Sequence, residues 1–190
     1  MKTMKKFYFL TLSILFTFLT SSMFAQFEVK LNPIGFLFNS PDLSGEYLIN
    51  DEISVELVLG ADYGKIAALS AFSEEDAKKS GFRVRAVGKY FFSPEKGNDR
   101  WYAGLYLGPR SRKVSQVFDD NDFGYKTTAF TAGLTGGFKW VGKSGIVFEL
   151  GLGLGRAFGD STTFNDNDNE TTVDGFGLDG FGKAAVGYRF

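Results

Sequence analysis

The chain has 190 residues, with 21 Lys+Arg, 22 Asp+Glu, a net charge of −1, no His and no Cys. The length suits one domain, and the balanced charge argues against a nucleic-acid partner, which usually needs a basic surplus. The missing Cys and His exclude disulfides, thiol nucleophiles, thiolate and imidazole metal sites, lipid attachment through Cys and every His-based acid or base.

Residues 1–25 read as a secretory signal peptide. Lys2, Lys5 and Lys6 open it, residues 7–19 are apolar apart from Thr and Ser, and residues 20–25 are mostly polar and end on Ala25. Cleavage is expected after Ala25. Ser22 is the alternative, because Met23 is a poor residue three positions before the first cut. The apolar run is shorter than the ~20 residues of a spanning helix, which makes an uncleaved anchor the lesser reading. Residues 26–190 then form one domain with 18 basic and 22 acidic groups.

Mean hydropathy is −0.07, so periodicity must carry the fold. Residues 146–158 alternate: Ile146, Phe148, Leu150, Leu152, Leu154 and Phe158 oppose Val147, Glu149, Gly151, Gly153 and Gly155, with Arg156 as the exception on the apolar face. The same period of two runs through residues 53–63, 82–92 and 176–190 and predicts β-strands. Eight are expected: 27–38, 43–49, 52–63, 81–92, 100–117, 125–141, 146–158 and 176–190. Several exceed the ~9–11 residues that a tilted strand needs to cross lipid. The connections after strands two, four and six are short (50–51, 93–99 and 142–145). Those after three, five and seven are mostly longer (64–80, 118–124 and 159–175). An even strand count with short turns on one side and longer loops on the other fits an outer-membrane barrel. In the first long loop, Ser73, Glu74, Glu75 and Asp76 suit the cap of a short helix.

In such a barrel the large apolar face meets lipid and the charged face lines the lumen. By parity the lumen receives Lys30, Arg83, Arg85, Lys89, Arg110, Arg112, Lys139, Lys183 and Arg189. It also receives Glu28, Glu46, Glu56, Asp62, Glu149 and Asp179, with Tyr102, Tyr106, Thr131 and Thr135. Eight strands leave room only for side chains. These charges are therefore expected to pair into a plug. Two aromatic girdles are expected: Trp101, Trp140, Phe92, Phe138, Tyr188 and Phe190 beside the short turns, and Tyr63, Phe82, Phe130, Phe158 and Phe176 toward the other rim.

Residues 137–144 match the phosphate-loop pattern G-x-x-x-x-G-K-[ST]. That motif needs a helix to follow, whereas Ile146, Val147 and Phe148 read as a strand, so a strand and tight turn are expected. Gly151, Gly153 and Gly155 fail the dinucleotide spacing and are expected to relieve crowding on the inner wall. Asp119, Asp120, Asn121 and Asp122, with residues 166–170, read as solvated acidic loops able at most to bind divalent ions weakly near lipopolysaccharide.

The ending Gly187-Tyr188-Arg189-Phe190 resembles the C-terminal signal read by the barrel assembly machinery, with Tyr188 and Phe190 as its aromatic positions. The chain resembles the small eight-stranded outer-membrane barrels of the OmpA-transmembrane-domain and OmpX kind. Lys30-Leu31-Asn32-Pro33, residues 41–47 and Ser54-Val55-Glu56-Leu57 resemble a group of small barrel proteins of unknown function. This implies an all-β, up-and-down transmembrane barrel in a bacterial outer membrane. The expected role is non-enzymatic, structural or surface-interacting, with loops 64–80 and 159–175 as the contact surface for an extracellular partner. Outer-membrane lipid and lipopolysaccharide are the expected surroundings; no catalytic residue, cofactor or metal is expected. A narrow porin is the first alternative. A soluble secreted β-barrel carrying a ligand in a greasy interior is the second.

Overall fold

The computed structural model describes residues 27–64, 78–118, 121–166 and 169–190. The signal segment and the Ser73–Asp76 cap lie outside these described residues.

Eight strands follow one another: β1 (Phe27–Asn32), β2 (Asp42–Leu48), β3 (Ile53–Asp62), β4 (Lys78–Phe91), β5 (Arg100–Phe118), β6 (Asn121–Val141), β7 (Ile146–Asp166) and β8 (Asn169–Arg189). Each pairs antiparallel with its sequence neighbour, and β1 closes the ring against β8. The closing register runs from Glu28↔Arg189 to Leu31↔Val186, four pairs set by the last residues of the chain. Phe190 N also donates to Phe27 O at 3.0 Å. Phe27, Phe190 and the turns at 49–52, 92–99 and 142–145 share one end of the ring, the short-turn end. The other strand ends, at Asn32, Asp42, Asp62, Lys78, Phe118, Asn121, Asp166 and Asn169, lie at the far end.

The strands form because their side chains alternate between two unlike environments. In β3 the burial pattern alternates without a break from Ile53 to Leu59. Val55, Leu57 and Leu59 are exposed, while Ser54, Glu56 and Val58 are buried. A one-residue slip in register would move every charge to the outside, which fixes the pairing strongly. The phosphate-loop look-alike at residues 137–144 is the end of β6 and a tight turn. Gly142 N donates to Ile146 O at 2.7 Å, and Gly145 takes a φ of +83° that favours glycine.

Three boundaries differ from the sequence reading. The first strand does not run to residue 38. It stops at Asn32, and Pro33, with φ −65° and helical ψ, starts a single helical turn, α1 (Ile34–Leu37). Proline pre-sets that φ, and the run Ile34, Phe36, Leu37 and Phe38 breaks the alternation. Residues 118–124 and 159–175 are not loops either. The β5–β6 ladder continues to Phe118↔Asn121 and the β7–β8 ladder to Asp166↔Asn169, leaving two-residue connections. Hydrogen bonding between neighbours in one hairpin holds these polar stretches extended without apolar alternation.

The wall is consequently uneven. Strands β1 and β2 have 6 and 7 residues, whereas β6, β7 and β8 have 21 each. At ~3.3 Å per residue, 21 residues run roughly 70 Å, far more than a tilted crossing of a bilayer core requires.

Candidate functional site

The inside of the ring holds the chemistry. Its charges sort by type along the axis. Toward the short-turn end are four lysines and four glutamates. Lys30 on β1 meets Glu149 at 2.5 Å, Glu56 at 3.0 Å and Glu46 as a closer partner still. Lys89 on β4 touches the same three carboxylates at 2.7–2.9 Å. Lys139 bridges Glu28 at 3.1 Å and Glu46 at 2.8 Å, and Lys183 bridges Glu56 at 2.5 Å and Glu149 at 2.9 Å. Tyr102 Oη donates to Glu149 at 2.9 Å, and Ser54 Oγ donates to Glu46 at 2.5 Å.

These residues converge because β1, β2, β3, β4, β6, β7 and β8 each send an inward position to the same height. Glu46 pairs in register with both Glu28 and Glu56. Like charges face each other directly across the strands, which is unfavourable by itself. The lysines between them cancel the repulsion. Glu46, Glu56 and Glu149 bring oxygens within 4.8 Å of one another, a geometry able to hold a cation. The ammonium groups of Lys30 and Lys89 already stand there.

Phe91, Val141 and Val147 form a buried apolar floor, with Phe91 packed on Tyr102 at 5.4 Å and under the Lys139 ammonium at 4.5 Å. Arg189 closes the rim. It pairs with Glu28 at 2.6 Å and donates to the carbonyls of Lys96 and Gly97 at 2.9 and 2.7 Å. A narrow cavity of about 20 Å³ runs from Glu149, Lys89 and Lys183 up to Asp42 and Arg85, room for about one water.

Toward the far end the pairs change to arginine and aspartate. Arg83 bridges Asp42 at 2.7 Å and Asp62 at 2.9 Å, and Arg112 reaches Asp62 at 3.3 Å. Arg110 pairs with Asp179 at 2.6 Å, and Tyr106 Oη donates to the same carboxylate at 2.9 Å. Arg85 lies 3.9 Å from Asp179 and stacks over Phe181 at 4.2 Å. Above them Lys79 donates to Ser40 Oγ at 2.7 Å and to Phe38 O at 2.6 Å. Burial holds the Lys79 ammonium below its ordinary value, with Asp62 pulling the other way and Arg112 and Arg83 adding to the depression. These arginines open onto a cavity of about 410 Å³.

All fifteen charged residues placed in the lumen by parity face inward here. Eleven are buried, and Arg110, Arg112, Lys183 and Arg189 are partly exposed at the cavity or the rim. Thr131 and Thr135 are buried and donate to the carbonyls of Gly108 and Leu152. Parity reasoning missed Asp42 and Asn32, and it places Phe181 on the charged face as an apolar exception. Asp42 was assigned to a loop, yet continuing the inward series Leu48, Glu46, Ser44 by two positions reaches it. Phe181 packs edge-on against Tyr106 at 5.1 Å. Glycines opposite make the room. A Cβ on Gly155 would stand 2.5 Å from Tyr106 Oη, and one on Gly153 would overlap the Phe181 ring.

The outer surface is the reverse. Trp101, Leu105, Leu134, Trp140, Leu150, Leu152, Leu154 and Leu178 are each more than 60% exposed. Phe92, Tyr188 and Phe190 are exposed near the short-turn end, where Phe138 stands edge-on to Trp101 at 5.1 Å. Tyr63, Phe82, Phe130 and Phe158 are exposed farther up. The Phe176 side chain lies outside the described residues. Arg156, the outward charge, stacks its guanidinium over Phe158 at 5.6 Å.

The chain belongs to DUF3575, a family described as proteins of unknown function, whose model matches residues 8–186. No curated relative and no solved structure matches it. Family membership and a ring of eight up-and-down antiparallel strands together fit a small β-barrel-like protein.

Proposed function

We propose that this DUF3575 chain is a non-enzymatic transmembrane β-barrel of a bacterial outer membrane, delivered by a cleaved signal peptide. Its role is structural or surface-interacting. The observation that carries this reading is the inverted polarity of the ring. Lys30, Glu28, Glu46 and Lys139 are at most 1% exposed, while Leu150, Leu152 and Leu154 on the neighbouring wall are 64–76% exposed. A soluble protein of this size would present a continuous apolar belt to water, and patches of that extent mark contact with lipid or a partner. A bilayer supplies the missing cover, and the aromatic bands fit its two interfaces.

The buried Lys–Glu layer and the apolar side chains of Phe91, Val141 and Val147 beneath it support a plugged barrel over a porin. The β5–β6 and β7–β8 hairpins then stand clear of the membrane as the contact surface. They are extended ladders, not the free loops expected for residues 118–124 and 159–175.

The test is fractionation followed by electrophoresis of boiled and unboiled samples. A faster unboiled band from the outer-membrane fraction is the expected result. A soluble periplasmic protein without a heat shift would overturn the reading. Planar bilayers separate plug from pore: steady single-channel steps would favour the porin.

A further inference from the structure

One cavity in this molecule is lined by both faces of a single strand. Phe181 and Lys183 of β8 point into the ring, and Gly180, Gly182 and Ala184 alternate with them on the outside. All five border the 410 Å³ cavity. Successive side chains on a strand point to opposite faces. Gly180 and Gly182 offer only backbone, but the same cavity also touches Ile34 and Phe38, both exposed on the outer side, so it runs along an edge of β8 that no strand covers. Pairing of β8 with β1 ends at Leu31↔Val186, because Pro33 turns the chain into α1. Above Val186 the side of β8 that faces β1 meets α1 instead of a strand. Ile34 and Gly35 of that turn, and Phe38 just after it, form the opposite lip.

The interior wall of the same cavity carries Arg83, Arg85, Arg110 and Arg112. Their carboxylate partners are Asp42, Asp62 and Asp179, one fewer than the guanidinium groups. Arg85 is the least satisfied. It is 6% exposed, its Nε has no hydrogen-bond partner, and its nearest carboxylate is 3.9 Å away. Asn32 Oδ1, at the end of β1, is also buried without a donor. Buried polar groups are normally satisfied. These two lack complementary partners, an oxyanion and a hydroxyl or amide donor.

We propose that the gap between β1 and β8 is a lateral entrance for an anionic amphiphile. Its oxyanion head sits against Arg85, Arg110 and Arg112, with a neighbouring hydroxyl or amide on Asn32. Its acyl chain leaves between α1 and β8 over Gly180, Gly182 and Leu152. The cavity lies within the ~300–1,000 Å³ of small-molecule sites. Its opening stands at the level of Leu152, Leu134 and Leu178, within the apolar belt. The inference rests on the membrane reading above, because only there does the opening face hydrocarbon.

The test uses mature protein in a non-ionic detergent, already shown to be heat-modifiable, so that failure of the membrane reading is seen first. Native mass spectrometry then titrates three probes: lysophosphatidic acid, zwitterionic lysophosphatidylcholine and inorganic phosphate. The expected result is one lysophosphatidic acid per barrel, with the zwitterion weaker. Arg85→Gln should weaken the anionic lipid roughly ten- to hundredfold, the value of a charge-assisted hydrogen bond. Arg110→Gln provides a second variant should the first fail to fold. Gly182→Phe should block the acyl chain yet leave inorganic phosphate unchanged. A Cβ there has its nearest neighbour, Leu152 Cδ2, at 3.9 Å, so the added side chain leaves the backbone without a clash. Lipid binding indifferent to Arg85→Gln and Arg110→Gln, or to Gly182→Phe, would overturn the proposal. So would phosphate binding as tightly as the lipid, which would mark a free-anion cavity.

Discussion

At Lys30 the whole inner layer meets. Its ammonium is buried to 1% and stands among Glu46, Glu56 and Glu149, with Glu28 at 3.7 Å. Removing it leaves carboxylates facing each other across β1, β2 and β3 in a buried site. Lys30→Met should therefore destabilise the folded protein by about 3–5 kcal/mol, the scale of breaking a buried ion pair on one side only. The contrast is Arg100–Glu95 at the short-turn end, where the side chains are 41% and 61% exposed. Arg100→Ala should cost about 0–1 kcal/mol. Urea unfolding from lipid vesicles measures both. Equal effects would mean that the inner layer is hydrated and that its pairs behave as surface pairs. Most of this layer was legible in the sequence, because every inward charge follows from the two-residue period once one is placed. Among the far-end pairs Asp42 was not, since residues 39–42 read as the connection between the first two strands. Which cation meets which carboxylate was not legible either. That depends on how the ring closes, and strand parity is silent about height.

At the scale of elements, closure depends on Gly187. It faces inward on β8 against β1, and a Cβ there would stand 2.9 Å from Lys30 Cα and overlap Val29 O and Lys30 Cγ. Gly187→Val should push β8 off β1 and abolish the heat-shifted band. Gly88→Val should leave it intact, because a Cβ at that outward position has nothing within 4 Å. If both variants keep the band, the β1–β8 seam is not what closes the ring. The long hairpins follow the opposite logic. Beyond the apolar belt, β7 and β8 continue as a ladder between two strands with no period of their own, Thr163 opposite Thr172 and Asn165 opposite Glu170. Their Asp, Asn and Gly content reads as loop because such residues are depleted in strands, and the threonines among them are too scattered to outweigh it. The pairing is inherited from the wall beneath. Replacing residues 160–175 with a two-residue Asn-Gly turn, a natural hairpin link, should preserve the heat shift and remove the β7–β8 part of the proposed contact surface. Loss of folding on that change would show that the extension stabilises the wall.

For the whole molecule the decisive quantity is the sign of the outer surface. In water, an arginine at Leu150, already 64% exposed, replaces apolar area with charge and should be neutral or better for solubility. In a bilayer the same change places a cation near the midplane and costs about 2–4 kcal/mol, falling to about 0–1 kcal/mol near an interface. Leu150 pairs with Ala184 and lies inside the belt, whereas Ile146 pairs with Tyr188 beside the short turns. Leu150→Arg should accordingly lower stability in lipid vesicles far more than Ile146→Arg. The difference between the two variants reads depth directly. Similar small effects at both positions would mean that no hydrocarbon surrounds the ring and that the belt is covered by something else, or by nothing. The ring itself folds in either case. Strand parity settles which side is charged, and only the solvent outside settles what that charge distribution is for.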